Sequence, residues 1–165
     1  MPFPFHTWVK GRNQGPIAGG DGGISDIQGR EDSILTQALD WSIDIPRDPQ
    51  TGQTSGKRIH QPYKITKYYD KSSPKLYRAL CSGEQLEEVV CKFYRISAKG
   101  MEEHYFTHKL CDAIIVNIRA WVPECLDPSL GYLKHMEDVS FTYRKIIWTW
   151  VLDGIEEEDS WVTPK

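Results

Sequence analysis

The sequence predicts a mainly β fold, a small antiparallel barrel or sandwich that carries one short helix. One segment alternates apolar with polar residues, several others are rich in β-branched and aromatic residues, and only one has helical spacing. The sequence does not show the regular succession of strands and helices that builds parallel sheets. A chain of 165 residues is long enough for one core, so we predict a single domain over residues 1–165.

The clearest strand signal lies between Leu39 and Ile45. Here Leu39, Trp41, Ile43 and Ile45 occupy every second position and polar residues lie between them. This period of two predicts a strand with one buried face, and Pro46 ends it.

Further strands are predicted where β-branched and aromatic residues concentrate, at 58–67, 89–96, 103–110, 113–122 and 137–151. In the fourth of these segments one face is formed by Ile114, Val116, Ile118, Ala120 and Val122. In the last segment the apolar positions change from odd to even numbers, which predicts a bulge or bend near residues 144–145.

The helix signal covers residues 73–82. Ser73 suits the N-cap, Pro74 suits the first helical position, and Gly83 suits the end. Helical spacing places three residues on a buried face, namely Leu76, Ala79 and Leu80.

Three segments lack core-forming patterns. Residues 11–32 are rich in glycine and predict a loop, and residues 46–57 predict an extended, exposed loop of polar residues. The acidic run Glu156–Asp159 predicts a solvated tail over about 153–165.

Composition excludes several classes of partner. The net charge of −3 offers no general attraction for nucleic acid, and the apolar runs are too short to insert in a membrane. The first residues lack a secretory signal, so we expect synthesis and assembly in the cytoplasm. The four cysteines have neither metal-binding nor disulfide-framework spacing, and we expect them to be reduced and mostly buried.

Residues with catalytic or metal-binding chemistry do not form a convincing site. Residues 52–58 superficially resemble a phosphate-binding loop, but the segment is one residue short and Arg58 replaces the required hydroxyl. His104 and His108 lie two strand periods apart and could share a face, yet no third ligand accompanies them. Cys111 has no surroundings that mark an activated thiol. We therefore predict no enzyme activity, no catalytic residues, no metal and no cofactor.

Four carboxylates flank predicted strands and are interpreted as residues that keep strand edges soluble: Glu102, Glu103, Glu137 and Asp138. The six tryptophans and eight tyrosines are interpreted as core and subunit-contact residues rather than as a sugar-binding groove.

A series of short motifs runs along the chain from Trp8 to Trp161. In order they are GREDSI at 29–34, PRD at 46–48, TG at 51–52, GKRIHQP at 56–62, DKSSPKLY at 70–77, YRKI at 143–146 and DSW at 159–161. In order and spacing these motifs resemble the Hcp family of type VI secretion proteins. The resemblance extends over almost the whole chain.

The resemblance implies a phage tail-tube-like β-barrel with one helix, assembled as a hexameric ring. Such rings stack into the inner tube of a contractile injection machine, are themselves secreted without a signal peptide, and shelter small effector proteins in their lumen. The implied partners are further copies of the chain, a trimeric spike protein, the contractile sheath and effectors.

The resemblance also assigns a ring-stacking role to the loop at about 46–57, with the residues Arg47, Asp48, Thr51, Gly52, Gly56 and Arg58. Pro46 and Pro49 limit its freedom, which lowers the cost of ordering it when it docks. Two other functions stay open: a tail-tube subunit of a phage or phage-like particle, and a monomeric ligand-binding β-barrel.

Overall fold

A computed structural model describes residues 2–19 and 29–161 of the chain. It contains one α-helix, α1 (Ser73–Ser82), and a 3₁₀ turn at Pro128–Leu130. The strands in chain order are β1 (Phe5–Gly11), β2 (Gly15–Ile17), β3 (Ile34–Asp40), β4 (Ile43–Asp44), β5 (Ile59–His60), β6 (Tyr63–Tyr68), β7 (Leu86–Ile96), β8 (Glu102–Trp121), β9 (Met136–Thr142), β10 (Lys145–Trp150) and β11 (Ile155–Ser160).

Six antiparallel strands close into a barrel, in the order β8-β7-β1-β3-β6-β9 and back to β8. Closure depends on the length of β8. Its first half pairs with β7 and its second half pairs with β9, from Ile114 opposite Thr142 to Trp121 opposite Met136. The hairpin β10–β11 extends the sheet outward from the first half of β8. The predicted mainly β barrel with one helix is confirmed.

The core fills the barrel interior with side chains from every barrel strand. Alternation along β6 shows the pattern, since Tyr63, Ile65 and Lys67 point inward and are fully buried. Other wholly buried side chains are Ile34, Leu76, Leu86, Val89, Leu110, Val139, Phe141 and Ile146. The helix α1 packs against β8.

The helix occupies the predicted residues. Leu76 and Ala79 are buried, and Leu80 is partly buried against the core. Gly83 ends the helix in the left-handed conformation at φ 68°, and its N–H bonds the carbonyl of Leu80. The capping prediction was wrong by one residue because Ser72 holds the N-cap position, whereas Ser73 is a buried helical residue.

The predicted strand from Leu39 to Ile45 is divided. Leu39 and Trp41 pack against the core, but Ile43 and Ile45 are 37% and 55% exposed. The chain leaves the barrel at the end of β3, so the alternation continues along the sequence without a core to face. The predicted strand at 58–67 is divided in the same way into β5 and β6, with Pro62 between them.

Two other strand predictions need correction. The strands predicted at 103–110 and 113–122 are one strand, β8, and its second half buries Ala113 and Ile115 rather than the predicted face. Ile114, Val116 and Val122 are more than 40% exposed, while a register shift after Ile115 turns Ile118 toward the core. The strand predicted at 137–151 is interrupted at residues 143–144, which separate β9 from β10 close to the bulge or bend predicted near residues 144–145.

The two ends of the chain contain strands that were not predicted from the sequence. Phe5–Gly11 forms β1, a central barrel strand, and Gly15–Ile17 pairs with it inside the predicted glycine-rich loop. Residues 20–28 of that loop lie outside the described residues, as do residues 1 and 162–165. The acidic run is not a free tail, because Ile155–Ser160 pairs along its length with β10. Among the described residues, the helices are too short and too polar to cross a membrane.

Candidate functional site

The chain between β3 and β6 leaves the barrel as a projecting element, which we call the arm (residues 42–61). Its base is the two-stranded ribbon β4–β5, in which Ile43 pairs with His60 and Asp44 with Ile59. Beyond the ribbon, a bridge between Arg47 and Thr54 continues the hairpin. The predicted extended loop at 46–57 is therefore the outer part of a hairpin.

Backbone hydrogen bonds order the tip of the arm. The N–H of Asp48 donates to the carbonyl of Gln53 at 2.8 Å, and the N–H of Gly52 donates back to the carbonyl of Asp48 at 2.8 Å. The Asp48 carboxylate also accepts the N–H of Gln50 at 2.8 Å. Gly52 adopts φ +72°, a conformation that favours glycine. The tip is thus ordered within its own chain, although residues 49–57 are all exposed.

Two basic side chains anchor the base of the arm to the edge strand β11. Arg58 forms an ion pair with Asp159 and donates from Nη2 to the carbonyl of Ser160 at 2.9 Å. His60, which is buried, contacts the same carboxylate through Nε2 at 2.7 Å. The hydrogen bond from Arg58 lowers the pKa of Asp159, so the carboxylate stays ionised at neutral pH.

A second contact ties His60 to the barrel. Its Nδ1 lies 2.7 Å from the hydroxyl of Tyr143, and that hydroxyl accepts the indole N–H of Trp41 at 3.0 Å. Burial raises the pKa of Tyr143 to about 12, so the phenol remains protonated. The arm is therefore fixed to the junction between β9 and β10 as well as to β11.

The structure divides the predicted stacking residues into two groups. Arg47, Asp48, Thr51, Gly52 and Gly56 lie in the outer hairpin. Arg58 lies at the base of the arm and anchors it. The anchoring contacts among His60, Asp159 and Tyr143 were not predicted from the sequence. The arm lies 83 to 101 residues from these partners, and only the fold brings them together.

Exposed apolar side chains form a second candidate contact surface on the strands and their turns. Ile114 and Val116 project from β8 with exposures of 41% and 45%. Others lie at the two hairpin turns that end β7 and β10: Ile96, Met101, Val151, Leu152 and Ile155. Contiguous exposed apolar area is typical of protein contact surfaces, so these side chains are candidates for contacts with other copies of the chain.

A buried ionic cluster joins β6, β9 and the start of α1. Lys67 and Glu137 are both fully buried and form an ion pair, and Lys67 Nζ also lies 3.1 Å from Asp70. Ser73 donates to the Glu137 carboxylate at 2.7 Å, and the hydroxyl of Tyr77 donates to its other oxygen. The interpretation of Glu137 and Asp138 as solubilising edge residues was wrong, since both are buried.

The structure gives His104 and His108 separate partners. His104 Nε2 contacts the Thr107 hydroxyl at 2.7 Å, whereas His108 Nδ1 contacts the Tyr63 hydroxyl at 2.8 Å. A register shift at Tyr94 leaves Tyr105, between the two histidines, without a partner on β7. Within residues 2–19 and 29–161, no three His, Cys, Asp or Glu side chains form a group that could hold a metal ion.

The cysteines are free, and the prediction that most are buried was wrong for two of them. Cys91 is buried and Cys111 is partly buried, but Cys81 and Cys125 are exposed. Burial raises the pKa of Cys91 to about 11, which leaves its thiol protonated.

The buried His6 and the partly buried His108 predict acid sensitivity. Burial lowers the pKa of His6 and of His108 from 6.5 to about 4. Between these pH values the unfolded chain binds more protons, so the free energy of unfolding should fall as the pH drops, by up to roughly 3 kcal/mol per histidine. In denaturant titrations, His108→Gln should reduce this fall, whereas the control His135→Gln at an exposed imidazole should not. If the fall in the free energy of unfolding is as large in His108→Gln as in the unaltered protein, His108 is not a source of the acid sensitivity.

Comparison with known proteins agrees with this architecture. The family model described as "Type VI secretion system effector, Hcp" matches residues 10–150. The "Major exported protein" of Pseudomonas aeruginosa is 44% identical over 169 aligned residues, covering 99% of this chain and 98% of that protein.

Solved structures are similar over the same extent. A crystal structure of an Hcp protein has a TM-score of 0.88 at 36% identity and covers 98% of this chain and 99% of its own. The secreted protein Hcp3 from Pseudomonas aeruginosa has a TM-score of 0.77 at 37% identity, covering 97% and 99%. On the family match and on this full-length similarity, the chain belongs to the Hcp family of type VI secretion system effectors.

Proposed function

We propose that the chain is a structural subunit of the type VI secretion tube, forming hexameric rings that stack end to end and are exported through the same apparatus. The arm is the observation that carries this proposal. Hydrogen bonds order its tip and two anchors fix its base, yet residues 49–57 are exposed. The arm is already ordered before it binds, so docking on another molecule would cost little conformational entropy. Because it buries little area in its own chain, its surface is free for such a contact.

Two kinds of contact build the tube in this proposal. Contacts within a ring use the exposed apolar residues of the strands and hairpin turns, which can form a permanent interface. Contacts between rings use the arm, whose outer hairpin is polar and buries little apolar area. Stacking is therefore weaker than ring closure, and a tube can form and later come apart.

The same proposal covers partners and location. Rings assemble in the cytoplasm, carry small effectors in their lumen, and contact a trimeric spike protein and the contractile sheath. The relative named "Major exported protein" supports export. The chain needs no catalysis and no cofactor for this role.

The alternatives are less well supported. A phage-like tail tube would use the same fold and assembly, but the full-length similarity is to type VI secretion proteins. A ligand-binding barrel needs room inside, whereas side chains such as Tyr63 and Phe141 occupy the barrel interior and are wholly buried.

Replacing residues Asp48 to Ser55 with a short Gly-Ser linker is expected to leave rings intact and to abolish tubes and export. The replaced residues lie outside the anchors at Arg58 and His60, so the barrel should keep its stability. Light scattering coupled to gel filtration measures ring mass, and electron microscopy and an export assay in the native host measure tubes and secretion.

The control is Lys75→Ser, which removes an exposed cation from α1, far from the arm in sequence, and should leave both readouts unchanged. Normal export by the linker variant would contradict the stacking role. Dissociation of its rings would place the arm in the interface within a ring.

A further inference from the structure

The arm and a second surface segment lie at opposite ends of β6. The arm precedes Tyr63, where β6 begins opposite Phe141. At the other end, Tyr68 pairs with Met136, and residues 122–135 connect Trp121 to Met136 at that same end. The two elements are separated by the length of β6, roughly 17 Å at about 3.3 Å per residue.

Residues 122–135 form a cleft of about 480 Å³ at this end of the barrel. Its wall includes Val122, Cys125, Asp127, Leu130, Leu133 and His135. The cleft is held to the barrel by the N–H of Tyr69, which donates to the carbonyl of His135 at 3.1 Å.

The cleft is flanked by the two most exposed large apolar side chains among the described residues. Leu126 is 88% exposed and Tyr132 is 73% exposed, although each adjoins a residue of the cleft wall. Such side chains are unfavourable in water unless a partner covers them.

The charges of the cleft and of the arm are complementary. The cleft wall carries the carboxylates of Glu124 and Asp127 and the single cation Lys134. Asp127 is fixed and ionised, because it accepts the hydroxyl and N–H of Ser129 at 2.6 and 2.9 Å and these bonds lower its pKa.

The outer hairpin of the arm has the opposite balance. It exposes two cations, Arg47 and Lys57, and holds one carboxylate, Asp48, which is partly buried. Docking would therefore bring an excess of positive charge on the outer hairpin to an excess of negative charge at the cleft. The base of the arm exposes Ile45 and Ile59, and these apolar side chains could pack on the exposed Leu126 and Tyr132.

We propose that the cleft formed by residues 122–135 receives the arm of a second copy of this chain, from the adjacent ring. This inference rests on the proposed stacking of rings and adds the surface that the arm contacts. Because the arm and the cleft lie at opposite ends of the barrel, each copy can donate an arm in one direction and receive one from the other. A contact between different surfaces builds an open filament when successive copies continue in one direction, as donor and acceptor surfaces at opposite ends of the barrel allow.

A disulfide between rings tests the inference directly. Cys125 is free, exposed and part of the cleft, and Thr51 is exposed at the tip of the arm. The Thr51→Cys variant, oxidised with glutathione disulfide, should form a bond between the introduced thiol and Cys125 of another copy. A disulfide requires Cα atoms within about 7 Å, so the bond reports close docking. Non-reducing gels and mass spectrometry of linked peptides identify the two cysteines.

Two matched backgrounds distinguish specific docking from collision. Cys125→Ser should abolish the bond, whereas Cys81→Ser, at the other exposed cysteine, should leave it unchanged. A mixture combines unaltered rings, which keep Cys125, with rings that carry both Thr51→Cys and Cys125→Ser. The disulfide should join the thiol introduced at position 51 of an altered chain to Cys125 of an unaltered chain, and none should join position 51 to position 125 between two altered chains.

The outcomes separate this inference from the proposed function. A bond to Cys81, or no bond to Cys125 while export still depends on the arm, overturns the cleft assignment and leaves ring stacking intact. Normal export after the arm is replaced by a linker overturns both. A bond between Thr51→Cys and Cys125 inside one ring places the contact in ring closure and overturns the inference.

Discussion

Replacing Leu76 with aspartate is expected to leave no folded barrel. Leu76 has no exposed surface and lies on the face of α1 that packs against β8. Truncating such a leucine to alanine costs roughly 2–5 kcal/mol. Aspartate adds the cost of burying an unpaired carboxylate, and the sum approaches the total stability of about 5–15 kcal/mol that is typical of a domain.

The expected result is insoluble or unfolded protein for Leu76→Asp and a lowered melting temperature for Leu76→Ala. Lys75→Asp is the matched control, because it places the same carboxylate on the exposed face of the same helix. Circular dichroism, thermal melting and light scattering measure folding and assembly. Soluble Leu76→Asp protein with native melting and ring mass would mean that Leu76 does not lie in the core.

The helix could be predicted almost to the residue because its signals are local. Pro74 at the start, Gly83 in the left-handed conformation at the end, and the spacing of Leu76 and Ala79 all act within ten residues. The fold class could be predicted for a similar reason. β-branched and aromatic residues favour strands whichever strands they pair with, so their local concentration indicates a β fold.

Strand boundaries could not be predicted because alternation does not reveal which partner a strand meets. Ile43 and Ile45 continue the pattern of Leu39 and Trp41, but they lie on the arm, beyond the barrel. The two predicted halves of β8 are one strand because β7 and β10 pair with the two edges of its first half, and β9 pairs with its second half. Pairing of that kind depends on distant segments.

The arm was recognisable as a polar segment between prolines, but its anchors were not. Arg58 and His60 meet Asp159 only because β11 folds back along β10. Similarly, the alternation of Tyr63 and Ile65 already placed Lys67 on the inward face, which implies a buried acidic partner. That partner, Glu137, lies 70 residues away and could not be identified from spacing.

Replacing Lys67 with methionine is expected to destabilise the barrel by about 3–5 kcal/mol, the range found when one member of a buried ion pair is removed. The change leaves two buried carboxylates, Glu137 and Asp70, without their shared cation. Glu137 would keep only the hydroxyl bonds of Ser73 and Tyr77, which cannot balance its charge. Free energies of unfolding from denaturant titrations measure the effect.

The reciprocal change should cost less, and this asymmetry makes the prediction specific. In Glu137→Gln, Lys67 keeps the Asp70 carboxylate at 3.1 Å and the Tyr68 carbonyl at 2.9 Å, so the remaining charge is still paired. Combining Lys67→Met with Glu137→Leu should recover part of the loss, because two apolar side chains leave less buried charge unpaired. Lys64→Met, at a partly exposed position of the same strand, is the control and should change stability little. If Lys67→Met proves as stable as this control, or Glu137→Gln costs more than Lys67→Met, the cluster does not hold β6, β9 and α1 together in the way that its geometry indicates.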